Sequence, residues 1–326
     1  MKRREFVTLL AAGVADMMAS RAAGAQQTPV IGFLGTLSRA QSERQLEMFR
    51  RGIGEIGFTE GANLTLEYRF AEGQYGRLPA LAAELVRRPV DLLVTQAPPA
   101  ALAAKAVTTT IPIVFSVGID PVAAGLVSSF NRPGGNATGI LLNPGPIAQK
   151  RLEIVRELAP KAVEVALLVN PGSPEAALET RDVEAAARAN GLELRQINAS
   201  TPADLDAAFA ALAQRRVDAL LIGGDPFFYE RRQEIVARIA RSGIPAIYPF
   251  REFPVANGLI SYGINLVNSY RDVGIYAGRI LKGVKPADLP VVQPTTLELV
   301  INLAAAKALG ISIPPTLQAR ADEVIE

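Results

Sequence analysis

Val90-Asp91-Leu92-Leu93-Val94, then Thr95-Gln96-Ala97-Pro98, then Pro99–Val107, then Ile113-Val114-Phe115 is the stretch that decides the fold. The first piece is short and apolar and reads as a buried strand. The third is rich in Ala and Leu behind a proline, which suits the first position of a helix. The last is a second apolar strand. Two strands separated by a helix of this length run parallel, because a hairpin needs no such crossover. Working outward, Val30–Leu34 is a strand ending in the polar loop Gly35–Ser38. Ala40–Ile56 follows with Leu46, Phe49, Ile53 and Ile56 on one helical face, stopped by Gly57. Leu64–Tyr68 alternates as a strand and Leu78–Arg87 reads as a helix. On the other side, Val122–Phe130 is expected to be a helix behind Pro121, Asn131–Thr138 a Gly/Pro turn, and Gly139–Leu141 a strand.

The pattern then restarts. Ile147–Leu158 is a helix, Val163–Val169 a strand, and Glu175–Asn190 a helix ending at Gly191. Glu193–Ile197, Ala219–Ile222, Ala246–Tyr248 and Leu259–Tyr262 are strands. Pro202–Ala213, Phe228–Ser242 and Tyr270–Lys282 are helices, and Thr296–Leu309 closes the pattern. Alternating strands and helices place helices on both faces of a parallel sheet. Two such runs in 326 residues predict an α/β chain of two doubly wound parallel-sheet lobes.

Composition removes whole classes of chemistry. The chain has no Cys, His or Trp. That excludes disulfides, thiolate nucleophiles, zinc–thiolate sites and every histidine-based triad or metal site. The first 25 residues read as a cleaved signal peptide. Lys2, Arg3 and Arg4 form a basic start, Phe6–Ala15 an apolar run, and Ala23-Gly24-Ala25 a cleavage site. Arg3-Arg4-Glu5-Phe6 fits a twin-arginine signal as well as an ordinary secretory one. The leader carries four of the 34 basic and two of the 32 acidic residues, so thirty of each remain and the mature chain is neutral. No basic patch is left for nucleic acid.

Ligands of open parallel sheets gather at the carboxyl ends of the strands. The loops there supply the candidate residues: Ser38; Thr95 and Gln96; Ser116, Gly118 and Asp120; Asn143; Asn170; Asp225; and Tyr262. Each polar residue among them could instead cap a helix. Asp120, ahead of Pro121, could cap the following helix or face the cleft. Asp120 or Asp225 could take an ammonium group, and Tyr262 could stack on a ring. No G-x-G-x-x-G follows the first strand, and there is no P-loop or G-x-S-x-G. No cofactor or metal is expected.

The same loops carry a resemblance. Pro99–Lys105, Ile111–Phe115, Asp120-Pro121-Val122, Gly125-Leu126-Val127 and Arg132–Gly139 are its first half. Asp225–Phe228, Ile244–Phe253, Ser261-Tyr262-Gly263 and Gly278–Gly283 are its second. Together they resemble the periplasmic substrate-binding proteins of ABC transporters, of the type that includes aromatic amino-acid binders. The resemblance implies the type I periplasmic-binding-protein fold, with two lobes, three hinge crossovers and a ligand between them. It implies a non-enzymatic receptor, monomeric and periplasmic, that closes on a small molecule and delivers it to ABC permease subunits. The expected division is 28–142 plus 264–290 against 143–263 plus 291–326. A sensory subunit of the same fold is the alternative, and a carboxylate-dependent enzyme a remote one. One departure stands out. The family usually has Gly-Thr where this chain has Ala97-Pro98, and Pro98 offers neither hydroxyl nor N–H.

Overall fold

The computed structural model describes residues 28–142, 147–294 and 296–326. The leader and Asn143 lie outside the described residues. The chain forms two sheets. The first holds β1 (Val30–Gly35), β2 (Thr65–Phe70), β3 (Leu92–Gln96), β4 (Ile113–Val117) and β5 (Ala137–Leu141), in the order β2-β1-β3-β4-β5. All its pairings are parallel; Ile31 sits against Leu92, and Thr95 against Phe115. β3, β4 and β5 are buried at every position, as expected for strands covered on both faces.

Helices α1 (Arg39–Glu55), α2 (Leu78–Val86) and α3 (Ala97–Val107) follow β1, β2 and β3. The second sheet and its helices then follow: α4 (Ile147–Leu158), β6 (Glu164–Val169), α5 (Ala176–Ala189), β7 (Glu193–Asn198), α6 (Pro202–Gln214) and β8 (Ala219–Ile222). Next come α7 (Pro226–Glu230), α8 (Arg232–Ser242), β9 (Ala246–Tyr248), α9 (Glu252–Val255), β10 (Ile260–Ile264), α10 (Leu266–Leu281), β11 (Leu297–Asn302), α11 (Leu303–Leu309), α12 (Pro315–Gln318) and β12 (Glu323–Ile325). The strand order is β12-β11-β10-β9-β8-β6-β7, parallel except where β11 runs against β10.

The α/β architecture follows the expectation in both sheets. Three local differences have physical reasons. The segment after Pro121 is a run of turns rather than a helix, because Gly125 takes a left-handed φ of 70° after one turn. The helix expected over Phe228–Ser242 is interrupted at Arg231 and begins earlier, at Pro226. Thr296–Leu309 contains β11, whose burial rises toward its C-terminal end, and the last strand β12 pairs beside it.

Helix α10 follows a strand of the second sheet yet packs on the first. Tyr270, Val273 and Ala277 join Phe33, Phe49 and Val94 in one core cluster. The approach to α1 is close enough to require glycine on both helices. A Cβ on Gly52 would meet the Arg271 carbonyl oxygen at 1.9 Å, and one on Gly274 would meet the Phe49 oxygen at 2.2 Å. Val292 then pairs beside Ile140 at the edge of the first sheet. The chain therefore passes between the sheets three times: before Ile147, between Ile264 and Leu266, and between Val292 and Leu297. Among the described residues no helix is long and apolar enough to cross a membrane.

Candidate ligand-binding site

A cavity of about 730 Å³ lies between the two sheets and takes its walls from both. The first lobe contributes the loop after β1, the end of β3 with the start of α3, the end of β4, and Tyr270 of α10. The second contributes one face each of α4 and α5, with Gly224, Tyr229, Phe250 and Gly263.

The first lobe's polar groups are largely committed to one another. Gln96 is buried, and its Oε1 accepts from the Thr36 and Leu37 amides at 3.0 and 3.1 Å. Its Nε2 donates to Gln45 Oε1. Gln96 thus pins the loop after β1 to the end of β3. The Ser116 and Tyr270 hydroxyls share a hydrogen bond of 3.0 Å. Ala97 has a left-handed φ of 66° at the start of α3, where the resembling family carries glycine.

Charge comes from the second lobe. Glu175, Glu179 and Asp182 lie four and three residues apart, so they share the cavity face of the α5 region. Glu175 reaches the Gly118 backbone of the other lobe. A Cβ at Gly118 would come 2.3 Å from Glu175 Oε1, so this approach needs glycine. Burial pushes the Glu175 carboxyl well above its usual range, with Glu179 and Asp225 adding to the rise. Glu179 accepts from the Gly224 amide at 3.1 Å, and burial raises its pKa too, against the pull of Arg151. Arg151 of α4 is buried, donates from Nε to the Tyr262 carbonyl at 2.9 Å, and holds Nη1 3.8 Å from Glu179.

Of the described residues expected from sequence, Gln96, Ser116 and Gly118 line the cavity, and Ser38, Thr95, Asp120, Asn170, Asp225 and Tyr262 do not. Ser38 caps α1 by accepting from the Gln41 amide at 3.3 Å. Thr95 is fully buried behind the wall, its hydroxyl without a partner among the described residues. Asp120 is exposed and accepts from the Val122 and Ala123 amides at 2.8 and 3.2 Å, so it closes the turn after Pro121 and does not face the cleft. Tyr262 packs against the second lobe's core, and its carbonyl accepts from the cavity residue Arg151.

Asp225 and Asn170 form a different structure. Asp225 caps α7 by accepting from the Phe227 amide at 2.9 Å, and it accepts from Asn170 Nδ2 at 3.0 Å. Its other oxygen accepts from the Tyr75 hydroxyl of the first lobe at 2.8 Å. Ser38 N–H donates across the same gap to Glu230 at 2.8 Å, and Arg232 donates to Gln41. Asp225, held in place by Asn170, thus ties lobe to lobe beside the cavity.

The residues that sequence reading missed are Arg151, Glu175, Glu179, Asp182 and Tyr270. They sit on helices or at a helix start, whereas the search followed strand ends. A signal was present: Arg151 stands in the buried stripe of α4 with Leu152, Ile154 and Val155. Among the described residues no group of carboxylates is arranged to hold a metal ion.

Comparison with known proteins identifies the family. The chain is 26% identical over 280 residues to a tyrosine-binding protein of Clostridioides difficile, covering 86% of this chain and 80% of the relative. A conserved domain protein of Vibrio cholerae superposes with a TM-score of 0.85 at 27% identity, covering 91% of this chain and all of that one. The ABC domain of Streptococcus pneumonia solved with L-Trp superposes with a TM-score of 0.84 at 25% identity, over 92% and 100%. The fold is that of the type I periplasmic binding proteins. Residues 34–325 match the family described as ABC transporter substrate binding protein, and with two lobes walling one cavity this chain belongs to that family of non-enzymatic binding proteins.

Proposed function

We propose that this chain is the extracytoplasmic solute receptor of an ABC importer, exported by its leader and closing its two lobes on one small molecule. The observation that carries the reading is a cavity walled by both sheets, with three chain passages beside it. Such passages absorb backbone rotation while each sheet moves as a body. The moving units are residues 28–142 plus about 264–292 and residues 143–263 plus about 293–326; the expected bound at 290 moves because Val291 and Val292 bond to Phe130 and Gly139 of the first lobe. A solute that touches both walls stabilises the closed arrangement by its differential affinity for it. The partner is the membrane permease, which reads the closed form, and the protein works as a monomer.

The polar wall positions the solute, while Leu178, Pro249 and Phe250 offer an apolar surface for its body. The test is native mass spectrometry of protein purified without added ligand, followed by scattering with and without the recovered solute. A stoichiometric small molecule, and a smaller radius of gyration when it is bound, are expected. A protein that carries no solute and changes neither radius nor melting temperature with any candidate solute would defeat the reading. Fractionation of expressing cells should find the chain outside the cytoplasm, shortened to near Gln26.

A further inference from the structure

Arg151 is the only cationic side chain among the described residues lining the cavity. Its surroundings are unusual for an arginine. The side chain is only 9% exposed. Nε is bonded to the Tyr262 carbonyl, but Nη1 lies 3.8 Å from Glu179, beyond hydrogen-bond distance, and Nη2 has no hydrogen-bond partner among the described residues. A guanidinium stays charged in proteins and carries five donors in a planar fork. Taking it out of water is costly unless those donors are met. The carboxylates around it lie against backbone: Glu179 accepts from the Gly224 N–H, and Glu175 abuts Gly118 of the other lobe. Across the cavity Pro98 has no N–H, and the Gln96 amide is used within the protein. The unmet donors in this group therefore belong to Arg151. Burial lowers its affinity for its proton, which is the cost a bound anion would remove.

We infer that Arg151 is the specificity-determining residue of the cavity, receiving a carboxylate group of the solute on its Nη1–Nη2 edge. The inference rests on the receptor reading and deepens it. Glu179 holds the guanidinium from one side and the Tyr262 carbonyl fixes its plane, so the free edge is presented to the solute. A planar fork matches a carboxylate in two parallel hydrogen bonds, which an amide of the same shape cannot accept.

The experiment pairs each carboxylate with its amide: benzoate with benzamide, and L-tryptophan with L-tryptophanamide, by calorimetry on the full mature chain. At least one carboxylate is expected to bind more tightly than its amide. Arg151→Met should cost that carboxylate about tenfold to a hundredfold in affinity and leave the amide nearly unchanged, so the preference disappears. A merely structural arginine would lower both members equally. Arg151→Lys keeps charge and fold but not the fork, and should retain only part of the preference. It serves if Arg151→Met does not fold. Lys150→Met, one residue away, should leave the preference intact. Equal affinities for acid and amide in the wild type, a preference that survives in Arg151→Met, or no stabilisation by either carboxylate would overturn the inference. A copurified solute without an anionic group would overturn it too, and would leave the receptor reading standing. Absence of any solute and any binding would remove both.

Discussion

From the five-stranded lobe the cavity receives Gln45, Gln96, Ser116 and Tyr270, all uncharged and bonded to one another or to backbone. From the seven-stranded lobe it receives Arg151, Glu175, Glu179 and Asp182. The first wall is structural chemistry that happens to face a cavity: its hydrogen bonds exist to hold loop to strand. The second wall carries charge out of water, with raised carboxyls and an arginine short of partners. Shape is therefore set by one lobe and discrimination by the other. Substitutions in the neutral wall should act on stability, and those in the charged wall on affinity and its pH dependence.

The largest effect is expected from Gln96→Ala. It leaves the Thr36 and Leu37 amides buried without an acceptor. Each costs about 1–3 kcal/mol, so a loss of about 2–6 kcal/mol should appear in denaturant unfolding. Gly52→Ala comes next. Its Cβ would strike the Arg271 carbonyl, and overpacking of this kind costs about 1–3 kcal/mol. It should also shift α10 and so separate Tyr270 from Ser116. If either variant kept full stability and lost only affinity, the neutral wall would be a recognition surface and the contrast would fail.

Titration sharpens the other side. A carboxyl with a raised folded-state pKa binds protons more readily when folded. Its stabilising contribution is full below the ordinary value of 4.5 and is lost as pH rises through the folded value. Melting temperature should thus fall as pH climbs above that range. Glu175→Gln with Glu179→Gln should flatten that slope. An unchanged slope would mean that both carboxylates are relieved by water. Smaller again is Tyr75→Phe, which deletes the 2.8 Å bond to Asp225 and a longer one of 3.3 Å from the Phe227 amide, while leaving the Asp225 cap in place. About 0.5–1.5 kcal/mol is expected, and scattering should show a more open solute-free form. No change in either quantity would show the contact to be incidental.

The same contrast explains what could be read from sequence. The strands and most helices were legible because burial on both faces gives unbroken apolar runs, as in Leu92–Val94 and Ile113–Phe115. The neutral wall was partly legible, because Gln96, Ser116 and Gly118 sit where strands stop. The charged wall was not. Glu175, Glu179 and Asp182 have the spacing of an ordinary solvated helix face, and only the second lobe's position makes that face interior. Asp225 was found as a polar residue at a strand end. Its partners Tyr75 and Asn170 are 150 and 55 residues away, and no local pattern reports such a pairing.

Ala97 offers the finest test, since it lies on the neutral wall where the resembling family has glycine. Its φ of 66° places a Cβ in the left-handed region, which costs about 1–2 kcal/mol in an L-residue. The chain holds it there because β3 must end and α3 begin within one residue, with Gln96 fixed on one side by its amide bonds and Pro98 on the other. Ala97→Gly removes the strain but also frees the unfolded chain, which returns about 0.4–1 kcal/mol. The net expectation is a gain of up to about 1 kcal/mol, measured as a higher unfolding midpoint, with affinity unchanged because Pro98 still lacks an N–H. Ala97→Val places a branched side chain in the same backbone conformation, and should lose stability where glycine gains it. Opposite signs for the two variants would mark the position as strained scaffold. If glycine instead raised affinity while stability stayed flat, the turn itself would be part of recognition, and the first lobe would share the discrimination now assigned to the second.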